Sequence, residues 1–377
     1  MEGGLINNET DNKVKSYNKT KIAISLLNSL FIFLLLAYFV FSGLSKDFAI
    51  YINQLFDNAY LSLILFVSFI LIVETIITFP LSLYSGFILE HKYNLSNQTF
   101  IQWLIENIKS FLLGFIIFLP ILLAFYYIVR NYQSFWWFWI GVVIFIFTIL
   151  LARLAPVIIF PLFYKFYPLE NESLKNRIMN LCNKTKIQIK GIFTFNLSKE
   201  TKKANAGFTG IGKSKRIIIS DTLLNNFTEE EIEVVFAHEL GHYIYHHIWI
   251  GMIISTILTF IGLYLVSIVY SKLIIYFQFN SIDDLAALPL LALLLSIYGI
   301  ILLPLTNFIS RMNERKADSF AIKLTNNFPA FKSTMLKLSE LNLSDKSPNK
   351  IIEILFYSHP SINNRIKYIK EKFKIND

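Results

Sequence analysis

The chain is 377 residues long, 54% of them hydrophobic, 16% aromatic and only 16% charged, against about 25% charged residues in soluble globular proteins. With a mean hydropathy of +0.52 and 36 phenylalanines, it is neither a disordered chain nor a soluble nucleic-acid binder, and its single Cys182 excludes an internal disulfide and a thiolate metal cluster. What remains is a polytopic membrane protein, in which the formal charge of +9 reports topology and not a nucleic-acid partner.

The first 20 residues are polar. The apolar run that follows is too long for a signal-peptide core and has no small-residue cleavage site, so the N-terminus is expected to be retained. Six stretches can cross about 30 Å of hydrocarbon: Ile22–Leu44, Leu61–Ile88, Phe111–Val129, Phe135–Phe160, Ile248–Leu273 and Leu285–Phe308. The fourth is the least regular, with Arg153 and Pro156 inside it and Pro161 beyond. Lys13, Lys15, Lys19 and Lys21 precede the first span, whereas Asp47, Asp57, Asp283 and Asp284 lie in the connections after the first and fifth. By the positive-inside rule both termini are expected to be cytoplasmic.

The organisation expected is therefore four spans in residues 1–163, a cytoplasmic catalytic piece in 164–247, two further spans in 248–309 and a C-terminal catalytic piece in 310–377. The fold class is mainly α, with a small β-sheet in the cytoplasmic domain. Arg216-Ile217-Ile218-Ile219, bounded by Lys213–Lys215 and Ser220-Asp221, reads as a strand, and Ile187–Phe195 as a second.

The chemistry begins at Ala237-His238-Glu239-Leu240-Gly241-His242. On a helix His238 and His242 project from one face one turn apart and can share a metal, while Glu239 beside them can take a proton from water at that metal. Thr228 and Glu231 form a capping box ahead of it, Phe227 and Ile232 a hydrophobic staple. The alternative is a pair of interfacial histidines at the end of the fifth span. A gluzincin-type site needs a third ligand, commonly a glutamate on a later helix. Glu314, directly after the sixth span, is the candidate, with an interfacial charge among basic neighbours as its alternative. Asp318, one turn further on the same face, is placed to accept the second N–H of a ligating histidine. Because these ligands hang from membrane helices, the metal is expected close to the bilayer surface, which favours membrane-embedded or lipid-attached substrates.

Together these residues resemble the type I CaaX prenyl endopeptidases, integral-membrane zinc proteases that trim prenylated C-termini. The resemblance runs through Leu81-Ser82-Leu83-Tyr84, Leu89-Glu90-His91-Lys92, Pro161–Phe166 with Pro168-Leu169, Asn205-Ala206 followed by Lys215-Arg216-Ile217 and Asp221–Leu224, and Ser358-His359-Pro360 with Arg365. It implies one Zn2+ per chain held by His238, His242 and Glu314, with Glu239 activating the water and Asp318 supporting a ligand. His359 and Arg365 would stabilise the oxyanion or hold the substrate end, and Asn205-Ala206 would hold the substrate backbone as an added strand. The family's helices enclose a water-filled chamber with the zinc at its cytoplasmic side. Its eukaryotic members have seven spans, where six are counted here.

The implied partners are a prenylated or membrane-associated protein or peptide and the lipid bilayer, with no nucleic acid. The compact length favours a prokaryotic plasma membrane over the endoplasmic reticulum. A quality-control protease for misfolded or stalled membrane proteins is the rival within proteases, and a non-catalytic membrane scaffold the rival outside them. Glu74 and Arg153 within spans read either as an ion pair or as chamber lining. His246 and His247 read as interfacial, His91 as a loop residue, Cys182 as a small buried apolar side chain, and Trp103, Trp136, Trp137 and Trp249 as interfacial belts.

Overall fold

The computed structural model describes residues 2–209 and 216–376, with side chains from residue 11 onward. Lys213 and Lys215 of the sequence reading lie outside the described residues. Among the described residues six helical stretches are long and apolar enough to cross a membrane: Asp11–Phe41, Ala59–Lys92, Phe100–Asn131, Trp136–Phe163, His247–Tyr276 and Leu285–Thr325. Each contains an expected span or nearly all of it, and most run on past it.

In chain order, α1 (Glu2–Phe41) is followed by the short α2 (Leu44–Leu55), which at about 18 Å cannot cross a bilayer. Gly43 makes the turn between them at φ 86°, a left-handed conformation that a Cβ would oppose. Next, α3 (Ala59–Leu83) passes through a π turn into α4 (Leu89–Lys92), α5 (Phe100–Asn131) follows, and α6 (Trp136–Leu154) passes through a second π turn at Pro156 into α7 (Phe160–Phe163). The soluble part then begins with β1 (Phe166–Pro168), α8 (Glu172–Lys184), β2 (Gly191–Phe195), β3 (Ala206–Thr209), β4 (Arg216–Ser220), α9 (Asp221–Asn226) and α10 (Glu229–Ile244). Two long helices follow, α11 (His247–Tyr276) and α12 (Leu288–Thr325), then α13 (Phe328–Leu341), α14 (Lys350–Phe356) and α15 (Ile362–Phe373).

The sheet has the order β1-β2-β4-β3, with β2 and β4 parallel and the outer pairs antiparallel. The expected strand at 187–195 is confined to its second half, and β1 was not anticipated. Ile192, Ile217 and Ile219 pack with Leu174, Ile178, Phe236, Leu240 and Ala321 into one core. Residues on either side of α11 in sequence thus build a single soluble body. A separate apolar core lies among the membrane helices, from Leu36 and Phe66 to Trp136, Tyr270 and Leu290.

The capping box of α10 forms as expected: Glu231 N–H donates to Thr228 Oγ1 at 3.3 Å and Thr228 N–H to Glu231 Oε2 at 2.9 Å. Glu231 also accepts from Ser333 at 2.5 Å and Lys337 at 2.7 Å, docking α13 on the start of α10. Further along, α10 meets α12 at a seam of small residues: Ala237, Ala317 and Ala321 are fully buried. A Cβ on Gly241 would stand 3.0 Å from Ala317 Cα and 3.2 Å from Phe320 Cβ. Gly241→Ala is therefore expected to push the two helices apart, at about 1–3 kcal/mol of stability, and to weaken metal binding. Thermal unfolding and chelator competition read the two effects.

Some expectations change. Trp103 and Trp136 are buried, not belt residues: Trp103 packs against Phe79, Phe87 and Phe100, and Trp136 against Phe125 and Tyr270. His91 sits in α4 and not in a loop, its two ring nitrogens at 2.8 and 2.9 Å from the carbonyls of Phe87 and Gln98. Glu74 lines an apolar cavity of about 370 Å³ with Leu36, Phe125 and Trp136, while Arg153 is exposed.

Candidate active site

Helix α10 carries His238 and His242 one turn apart, and α12 carries Glu314 and Asp318 one turn apart on the face packed against it. The small-residue seam brings the two faces together. His238 Nε2 lies 3.1 Å from His242 Nε2 and 3.3 Å from Glu314 Oε2, and His242 Nε2 lies 3.2 Å from Glu314 Oε1. A tetrahedral zinc with ligand bonds of about 2.0–2.2 Å separates its donors by about 3.3 Å, so the triangle has the size of one face of that tetrahedron. Glu314 Oε2 is also buried without an aligned hydrogen-bond donor. Two imidazole nitrogens and an orphaned carboxylate oxygen at this spacing fit a metal, and the fourth direction is left for water.

Behind the ligands each histidine has a support. His238 turns Nδ1 to Asp318 Oδ1 at 2.9 Å. Asp318 is fully buried and receives Arg365 on both oxygens, Nε to Oδ2 at 2.8 Å and Nη2 to Oδ1 at 2.5 Å. Arg365 is itself buried, and its Nη2 stands 3.6 Å from Glu314 Oε2. Its guanidinium ties Asp318 to the edge of the triangle formed by His238, His242 and Glu314.

The second support escaped the sequence reading. The metal helix stops short of the fifth span: it ends at Ile244, the chain turns at His246 with φ 54°, and α11 starts at His247. That turn folds buried His247 back so that its Nδ1 lies 3.0 Å from His242 Nδ1. A metal held on Nε2 would leave the His242 proton on Nδ1, placed to be donated to His247. Burial and the neighbouring His242 lower His247 to about 4, which keeps its ring neutral and able to accept. The one available signal was the adjacent pair His246-His247 after the motif.

Glu239 is half-buried between the two ligands in sequence. Burial raises its carboxyl above the ordinary carboxylate range, and the nearby His238 and His242 act against the shift. Burial would raise Glu314 as well, but the imidazoles of His238, His242 and His359 hold it well below that range. His359 is exposed at the mouth of the site, with Nδ1 3.1 Å from Glu314 Oε2.

Asn205 and Ala206 lie at the start of β3, whose second edge is unpaired among the described strands. Asn205 is tied to β4 through its backbone: its N–H donates to Ser220 Oγ at 3.0 Å and its carbonyl accepts from Ser220 N–H at 2.9 Å. Its side chain is exposed. Phe208 of β3 stacks on Phe236 and Tyr243 of α10, which fixes the strand over the metal helix.

The model of peptidase family M48 matches residues 168–372, and that of the CAAX prenyl protease N-terminal region, described as having five membrane helices, matches residues 3–165. In that second stretch four helices here are long and apolar enough to cross a membrane. The chain is 34% identical to the uncharacterized metalloprotease YhfN of Bacillus subtilis over 88% of its own length and 78% of the relative's. It is 32% identical to CAAX prenyl protease 1 of Saccharomyces cerevisiae over 80% of its length and 71% of the relative's. The crystal structure of S. mikatae Ste24p superposes with a TM-score of 0.84 at 29% identity, over 96% of this chain and 89% of that one. The site and these likenesses lead to one conclusion: the chain belongs to peptidase family M48, as a multi-pass membrane metalloendopeptidase.

Proposed function

We propose that this protein is a zinc endopeptidase that cleaves close to the C-terminus of prenylated membrane-associated proteins, at the cytoplasmic face of its membrane. The observation that carries the reading is the position of the metal triangle. Two ligands end the helix immediately before one candidate span, and the third hangs from the extension of another. A site so placed reaches peptide bonds held near the bilayer surface. The relatives named CAAX prenyl protease 1 supply the substrate class, and the Lys/Arg bias of the flanks supplies the orientation. In this scheme residues 1–163 and 248–309 form the membrane wall, and 164–247 with 310–377 form the catalytic body.

Zinc is the metal that two imidazoles and one carboxylate at tetrahedral spacing suit, and when bound it lowers the pKa of its water toward about 7 and polarises the scissile carbonyl. Glu239 takes the proton of the attacking water and returns it to the leaving amine. His359, at the mouth, holds the oxygen of the attacked carbonyl. Asp318 and His247 fix the tautomers and ring planes of His238 and His242, and Arg365 holds Asp318 in its ionised form. The open edge of β3, beginning at Asn205-Ala206, pairs with the extended substrate backbone.

The test is mass spectrometry of a farnesylated peptide ending in a CaaX sequence, beside the same peptide without its lipid. The reading predicts loss of the terminal tripeptide from the lipidated peptide alone. Equal cleavage of both moves the substrate toward membrane proteins in general, and cleavage of neither contradicts the proposal.

A further inference from the structure

Helix α12 presents more than Glu314 and Asp318 on the face turned to the site. Asn307, Arg311, Glu314 and Asp318 follow one another at spacings of four, three and four residues, which places them on a single stripe. All four are buried. The two nearer the membrane touch no metal ligand. Arg311 Nη1 donates to three backbone carbonyls at the end of α14: Glu353 at 3.1 Å, Ile354 at 3.2 Å and Tyr357 at 2.7 Å. Asn307 Nδ2 donates to a fourth, Leu355, at 2.7 Å.

These carbonyls belong to the last turn of α14 and the residue after it, where a helix leaves C=O groups short of intrahelical partners and carries partial negative charge; only that of Glu353 also accepts a backbone N–H, from Tyr357 at 3.3 Å. A buried guanidinium on a neighbouring helix satisfies both needs. Two residues beyond Tyr357 comes His359. The far side of this loop is also tied: Glu353 Oε1 accepts the N–H of Ser361 at 2.9 Å, and both Glu353 oxygens accept from Asn364, at 3.1 and 3.0 Å. The segment 357–361 is thus fastened at its start to α12 and at its end to the base of α15, with His359 exposed between the two fastenings and reaching Glu314.

We propose that Arg311, assisted by Asn307, is the positioning residue for His359. It gathers the carbonyls of α14 onto the helix that carries Glu314, so the loop imidazole and the third metal ligand are held in register by one element. The inference rests on the reading of His359 as a group that meets the substrate. A loop otherwise free to shift would lose that register, and a misplacement of about 1 Å at a reacting centre costs about 100-fold in rate.

The test compares kcat, KM and zinc content for the full-length protein, Arg311→Lys, His359→Ala and the double variant. Lysine keeps the charge, but its shorter stem and compact ammonium cannot bring a donor to the position of Nη1, where the three carbonyls converge. The proposal expects Arg311→Lys to lower kcat about 10–100-fold with zinc content and KM little changed, and to cause no further loss once His359 is alanine. A loss of the same factor in both backgrounds, or full activity in Arg311→Lys, overturns it. Unchanged kcat in His359→Ala overturns instead the reading of His359, and this inference with it. Should Arg311→Lys fail to fold, Asn307→Ala, which removes one of the four carbonyl contacts, carries the same comparison.

Discussion

Glu239→Gln is expected to lose about 10²–10⁴-fold in kcat while the protein keeps its metal. The amide has the shape of the carboxylate but cannot take a proton from water, and Glu239 is not one of the three groups that converge as ligands. Affinity for an uncleaved lipidated peptide should therefore change little. This separation of effects distinguishes a proton carrier from a structural residue, because a side chain that merely supported the fold would lower stability and metal content together. Single-turnover kinetics with metal analysis on the same preparation reads both. Activity within a few-fold of the unaltered protein would remove Glu239 from the mechanism.

The largest stability effect is expected at Asp318. It is fully buried and serves two partners at once, the Nδ1–H of His238 and both prongs of Arg365. Asp318→Ala leaves the Arg365 guanidinium buried with no paired charge except the more distant Glu314. Breaking a buried pair from one side costs about 3–5 kcal/mol, and loss of a histidine's supporting carboxylate weakens metal affinity by about 10–100-fold. Both effects should appear, as a lowered unfolding temperature in detergent and as faster loss of metal to a chelator. Arg365→Met should be milder in stability, since the unpaired carboxylate it leaves still holds His238. A stable, metal-tight Asp318→Ala protein would contradict the arrangement described here.

The parts of the fold legible in sequence were those written in long or strongly constrained patterns. Apolar windows of about 20 residues located six spans, and the His-Glu-x-x-His spacing with the Thr228/Glu231 box located α10. Glu314 and Asp318 could be paired because an interval of four residues puts them on one helical face. Strand β1, only Phe166–Pro168, is too short for an alternating pattern to register, and it exists because it pairs with Phe193–Phe195. The partnership of Arg365 with Asp318 spans 47 residues, and nothing local to either announces it. His247 was hidden by a backbone event: the left-handed turn at His246 folds it back onto His242, and no residue pattern announces that turn. Trp103 and Trp136 fit an interfacial composition, yet tertiary packing draws their rings into helix junctions.

Every catalytic role converges on one centre, so the most direct measurement is zinc content and zinc K-edge absorption of the purified protein, with Glu239→Gln and Glu314→Ala alongside. One zinc per chain is expected, with nitrogen and oxygen donors at about 2.0–2.2 Å, unchanged in Glu239→Gln and lost or greatly weakened in Glu314→Ala. A full complement of zinc in Glu314→Ala with an unaltered donor shell would contradict it, because the metal would then be held somewhere other than the triangle of His238, His242 and Glu314.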